Sequence, residues 1–241
     1  METYLFDGSL EGFLTLIFDW YARNPGPIRI QTGAGAQGKI HVARRDPEKA
    51  QRVASGLQQR LSAAGWRAFC CTFLSELSES PSHLFGYALY VFSEVPHAEK
   101  NYNHDDVLYV RQIAGRVERE MHQTETQVRF RQKGDGILYA TVSPRFNVLP
   151  LLARHFAGRQ ATRPWIIYDI RRNYGLYYDR KTVQLFRLEE KDGEPAGEHA
   201  EAFAAIWKEC RGNREFSGQL AARKLPQRFW LYLSETQEYA S

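Results

Sequence analysis

Leu10, Phe13, Leu14, Ile17, Phe18 and Tyr21 recur at helical spacing, so residues 10–23 read as an amphipathic helix. Residues 4–6 read as a short strand before it, with Asp7-Gly8-Ser9 as turn and cap, and Asn24-Pro25-Gly26-Pro27 stops it. Two short alternating runs, 28–31 and 39–42, flank a glycine-rich loop and predict a hairpin. Asp46-Pro47-Glu48 combines a cap, a first-turn proline and an acid at the positive end of the dipole, and launches a helix over 47–63. Further helices are expected over 67–78, 82–93 and 104–124, with a polar loop near His97 to Asn103.

Near residue 125 the period changes from helical to alternating. Runs 127–132 and 137–142 alternate around Lys133-Gly134-Asp135-Gly136, a second hairpin. Asn147 is placed to cap a helix over 148–158, and strands are expected over 164–170, 174–179 and 182–188. Gly193 to Gly197 reads as a loop, followed by helices over 198–211 and 217–238. The predicted class is α+β: a mostly helical N-terminal half, then an antiparallel sheet with covering helices. The corresponding division is 1–124, mainly helical with a short hairpin, and 125–241, basic and aromatic, or one continuous domain.

The 241 residues are 43% hydrophobic and 25% charged, ordinary values for a soluble globular protein. Neither an apolar run of membrane length nor a signal-peptide pattern occurs, so the expectation is a cytoplasmic protein without membrane contact. Cys70 and Cys71 are adjacent and Cys210 is remote, a set that fits buried thiols better than a disulfide, a cluster or structural zinc.

Charge is what changes the picture. Residues 1–110 carry −2 and residues 111–241 carry +6. Between Arg129 and Arg187 there are twelve Lys/Arg against Asp135, Asp169 and Asp179, with ten aromatic residues interleaved. Cations neutralise phosphates and flat rings stack on unpaired bases, so this segment predicts a polyanionic partner, nucleic acid foremost. The phosphate candidates are Arg129, Arg131, Arg145, Arg154, Arg159, Arg171 and Arg172; the stacking candidates are Trp165, Tyr168 and Tyr174.

Other constellations are weaker. Gly33-Ala34-Gly35-Ala36-Gln37-Gly38 has dinucleotide-loop spacing, but a strand-like run follows it where a helix is required. No phosphate loop or nucleophile elbow is present, and no histidine set, including His97 and His104 near Glu99 and Asp106, reads as a metal site. No cofactor is expected.

His122 reads as the end of the 104–124 helix beside Glu118 and Glu125, either a cation at the dipole's negative end or a proton-transfer group. The helix entered at Asn147 offers its N-terminal N–H groups beside Arg145, a phosphate site or else a core helix with incidental arginines; His155 lies on its apolar face. In a strand Asp169 and Arg171 share one side with Trp165, which suits a structural ion pair or a carboxylate held in an aromatic cleft.

Phe6-Asp7-Gly8-Ser9-Leu10-Glu11-Gly12-Phe13, Asp135-Gly136-Ile137-Leu138-Tyr139-Ala140, Asn147-Val148-Leu149-Pro150-Leu151-Leu152 with His155-Phe156, and Trp165-Ile166-Ile167-Tyr168-Asp169-Ile170-Arg171-Arg172 before Tyr174-Gly175-Leu176-Tyr177-Tyr178-Asp179 resemble one bacterial family, labelled "probable DNA metabolism protein". The resemblance covers nearly the whole chain. It implies association with DNA repair, beside a DNA-modification or repair radical-SAM protein, and kinship with a domain fused to uracil-DNA glycosylases. It implies no catalytic residues, and the radical-SAM cysteine motif is missing here.

The leading expectation is an accessory protein that binds single-stranded or damaged DNA through a basic, ring-lined surface and works with such an enzyme. The alternatives are an enzyme acting on a nucleobase or phosphodiester, with Asp169, His155 and His122 as acid–base groups, and a protein-binding adaptor for the radical-SAM neighbour.

Overall fold

A computed structural model describes residues 1–33, 38–132 and 136–186. The turn expected at Lys133-Gly134-Asp135, most of the glycine-rich loop, the end of the strand expected over 182–188, Cys210 and the two helices expected over 198–211 and 217–238 lie outside the described residues. The described chain forms an α+β fold in two compact units, divided between Glu118 and Arg119.

In the first unit, strand β1 (Glu2–Phe6) leads into helix α1 (Leu10–Arg23). The Ser9 hydroxyl accepts from the Gly12 N–H at 3.0 Å, which fixes the helix start. Strands β2 (Ile28–Thr32) and β3 (Ile40–Val42) follow. They do not form the expected hairpin: both pair with β1, each parallel to it, in the order β2-β1-β3. The physical reason is burial. β1 carries Tyr4 at 0% and Phe6 at 4% exposure and takes the centre, while the half-polar runs take the edges.

Helices α2 (Pro47–Arg60), α3 (Ala63–Leu74) and α4 (Ser80–Phe92) succeed one another, then a 3₁₀ turn (Ala98–Lys100) and the long helix α5 (Asp105–Gln127). The Asp46 carboxylate accepts from the Glu48 and Lys49 N–H groups at 3.0 and 3.2 Å, the cap the sequence predicts. Phe13, Leu14, Ile17, Leu57 and Phe69 are fully buried, as are Cys70 and Cys71, and burial pushes the Cys70 thiol up. Among the described residues no helix is long and apolar enough to cross a membrane.

The second unit begins in the last turns of α5. That helix runs through Gln127, the first residue of the strand expected over 127–132, because Met121 and Thr124 extend its buried stripe; residues 128–130 are neither helix nor strand, and only Arg131–Gln132 form β4. Then come β5 (Leu138–Val142), helix α6 (Leu149–Arg159), β6 (Trp165–Asp169), β7 (Tyr174–Tyr178) and β8 (Val183–Phe186), arranged in sequence order in one sheet. Three of the four pairings are antiparallel, but β5 and β6 run parallel, because α6 carries the chain back to the end where β5 began.

All five residues of β6 are buried. Phe156 of α6 packs edge-on to Trp165 at 6.2 Å, while Ile166 and Tyr168 join Ile137, Tyr139, Tyr177 and Phe186 in a second cluster. Gly175 makes the latter possible: a Cβ there would lie 2.6 Å from the Phe186 ring and 2.8 Å from the Tyr168 ring. Gly175→Ala should therefore destabilise the protein by about 1–3 kcal/mol, read as a lower denaturant midpoint. An unchanged midpoint would mean that the rings yield freely.

Candidate nucleic-acid interface

The parallel pair gives the second unit one distinctive corner. Loops leaving the carboxyl ends of parallel strands are where open sheets commonly hold ligands. Here Val142 of β5 stands beside Asp169 of β6, and Ile170 N–H donates to the Val142 carbonyl at 2.9 Å. Residues 143–148 leave one strand and 170–173 leave the other.

Asp169 is fully buried. Its partner is Arg172, whose Nη1 donates to Oδ2 at 2.9 Å, and the Arg172 N–H donates to Oδ1 at 3.2 Å. The predicted pairing with Arg171 is thus off by one. The strand ends at Asp169, so the alternation that placed Arg171 beside it stops there, and Arg171 is exposed in the turn. Arg172 also donates to the Pro144 carbonyl at 3.0 Å and the Arg145 carbonyl at 2.7 Å, which ties the two loops together.

The three stacking candidates do not form a surface. Trp165 and Tyr168 are 0% exposed and Tyr174 2%, and no described Phe, Tyr or Trp ring of residues 119–186 is exposed. Tyr168 donates to Asn173 and Tyr174 to Asn147. Asn147 therefore does not cap α6; Val148 occupies that position without a side-chain bond. The phosphate site expected at this helix start is also closed. Val148 and Leu149 are fully buried, and the Val148 and Leu151 N–H groups donate internally, each at 2.9 Å.

The arginines fare better. Arg129, Arg131, Arg145, Arg154, Arg159 and Arg171 are all exposed. Arg129 donates to the Thr126 carbonyl at 2.6 Å and the Val128 carbonyl at 3.2 Å, at the end of α5. Arg131 lies on β4 opposite Tyr139. Arg145 and Arg171 stand at the carboxyl end of β5 and β6, whereas Arg159 closes α6, about 15 Å further along at 1.5 Å per residue. Among the described residues these cations thus stand at both ends of the sheet and not at one point.

The described carboxylates nearby are engaged elsewhere. The Glu120 carboxylate accepts the Arg145 N–H and, at 3.0 Å, the Phe146 N–H. Glu125 sits between His122 at 3.0 Å and His155 at 3.7 Å. Asp179 accepts from the Lys181 and Thr182 N–H groups, both at 2.7 Å. Among the described residues the guanidinium groups of Arg145, Arg159 and Arg171 make no ion pair.

The Thr182 and Lys181 N–H groups hold the Asp179 carboxyl below its usual range. A depressed folded value means stability present above the unfolded value of about 3.9 and lost as pH falls through the folded one. The stability gap between wild type and Asp179→Ala should therefore narrow from pH 5 downward in denaturant titrations. A gap constant with pH would contradict this.

Sequence reasoning left His122 and His155 as separate candidates; the structure joins them through Glu125. His122 stands five residues before the end of α5, not at its terminus, and is well exposed. Glu120 was missed altogether, since a carboxylate acting across 25 residues leaves no local signature. Elsewhere, the Glu99 carboxylate accepts from the Ser62 N–H and hydroxyl, both at 3.0 Å. Among the described residues no group of three His, Cys, Asp or Glu is arranged to hold a metal ion.

Fold and corner together define an α+β protein with a mixed five-stranded sheet and exposed arginines at both of its ends. By its sequence the chain belongs to the family described as a domain of unknown function, DUF4130, whose model matches residues 78–235. No curated protein and no solved structure matches it.

Proposed function

We propose that the protein is a DNA-repair-associated accessory factor that grips a nucleic-acid backbone through Arg129, Arg145, Arg154, Arg159 and Arg171. The observation that carries this reading is the spent acid. Each described carboxylate of residues 119–186 is engaged by backbone N–H groups, by histidines or by Arg172, so among the described residues none is left to neutralise Arg145, Arg159 or Arg171. Uncompensated arginines attract phosphates and gain from counterion release.

With Trp165, Tyr168 and Tyr174 buried, these arginines offer a grip on phosphates rather than bases, so a duplex should serve as well as a single strand. The resemblance to the "probable DNA metabolism protein" family supplies the partner: a radical-SAM or uracil-DNA-glycosylase-type enzyme. Co-purification with the radical-SAM neighbour, before and after nuclease treatment, tests this. Loss on nuclease treatment supports a DNA-mediated assembly; retention favours a protein-binding adaptor.

A second reading, an enzyme acting on a nucleobase or phosphodiester, draws on the His122–Glu125–His155 group. Asp169 is enclosed by Arg172, so proton transfer would fall to the two exposed histidines. It predicts turnover of damaged DNA by the protein alone, abolished in His155→Ala with binding intact.

A further inference from the structure

Of the exposed arginines, Arg145 is held unlike the rest. Its backbone is clamped from both sides: Glu120 accepts its N–H, and Arg172 Nη2 donates to its carbonyl at 2.7 Å. Glu120 also takes the Phe146 N–H at 3.0 Å. The Phe146 ring, 5% exposed, is thereby fixed in place, and the Arg145 guanidinium lies over it with 5.3 Å to the centroid. Three charged or aromatic side chains thus determine where one surface cation sits.

We propose that Arg145 is the anchoring phosphate contact of this surface, and that Glu120 and Arg172 are positioning residues that act through it. The inference rests on the backbone-binding reading above and adds the register of the contact. A planar guanidinium held in one place can meet a phosphodiester with two parallel N–H bonds, which a mobile cation achieves only by losing side-chain freedom. Arg159, on the last turn of a helix, contributes charge without that fixed geometry. Arg171, in the adjoining turn, supplies a second cation beside the first.

Glu120 separates positioning from plain electrostatics. Removing a negative charge near a polyanion site should tighten binding if charge alone matters. Glutamine at 120 offers one acceptor oxygen where two N–H groups need partners, so the loop loosens and a positioning role predicts weaker binding.

The experiment measures affinity for a 20-base-pair duplex by anisotropy at several salt concentrations, for wild type, Arg145→Ala, Arg159→Ala, Glu120→Gln and the double variant Glu120→Gln/Arg145→Ala. Expected are a loss of about tenfold or more for Arg145→Ala with a salt slope smaller by about 0.9, and a clearly smaller loss for Arg159→Ala. Glu120→Gln should weaken binding about threefold or more, yet add nothing on the Arg145→Ala background; that non-additivity is independent of any change in folding stability. Wild type that fails to bind DNA overturns the functional reading itself. Wild type that binds, with Glu120→Gln tighter or Arg145→Ala no worse than Arg159→Ala, overturns the positioning proposal alone.

Discussion

Alanine in place of Arg172 is expected to cost about 3–5 kcal/mol of stability. Asp169 is fully buried and the Arg172 side chain is 8% exposed, so truncation leaves a carboxylate in the interior without its cation. It also strips the Pro144 and Arg145 carbonyls of a donor and unties the two loops. The thermal midpoint should fall by about 10 °C at the usual entropy of unfolding. Pairing the change with Asp169→Asn should restore a good part of that loss, because the uncompensated charge is gone. Equal midpoints for wild type and Arg172→Ala would show that water or another group already neutralises Asp169.

Removing Arg145, Arg159 and Arg171 together should lower duplex affinity by about 500-fold at 0.1 M salt, since phosphate contacts contribute on average a factor of about eight each there relative to 1 M, Arg145 the largest share. The three are exposed and make no ion pair among the described residues, so their loss should leave the fold intact. Circular dichroism and the denaturant midpoint check that condition. A triple variant that binds as wild type does would move the interface elsewhere.

How much of this was legible in the sequence depended on how local the signal was. The stripe from Leu10 to Ile17 gave α1, and Asp46-Pro47-Glu48 gave the start of α2, because caps and periodicity act within a few residues. Pairing partners were not legible. The runs either side of the glycine-rich loop are strands, but β1, from the far side of α1, lies between them.

The rings were misplaced for a readable reason. Trp165-Ile166-Ile167-Tyr168 is an unbroken apolar run, the mark of a strand covered on both faces, and the surrounding arginines drew attention from it. Arg172 replaced Arg171 because strand alternation holds only as far as the strand does. Glu120 could not have been found, since its role exists only once the chain has folded back over 25 residues.

The most direct measurement is the salt dependence of DNA binding by the intact protein. With five arginines on phosphates, log affinity should fall against log salt with a slope of about −4.5 for duplex and about −3.5 for single strands. Between 50 and 200 mM that is a loss of about 500-fold for duplex. A slope near zero, or no binding at low salt, would contradict the claim that these cations exist to hold a phosphate backbone.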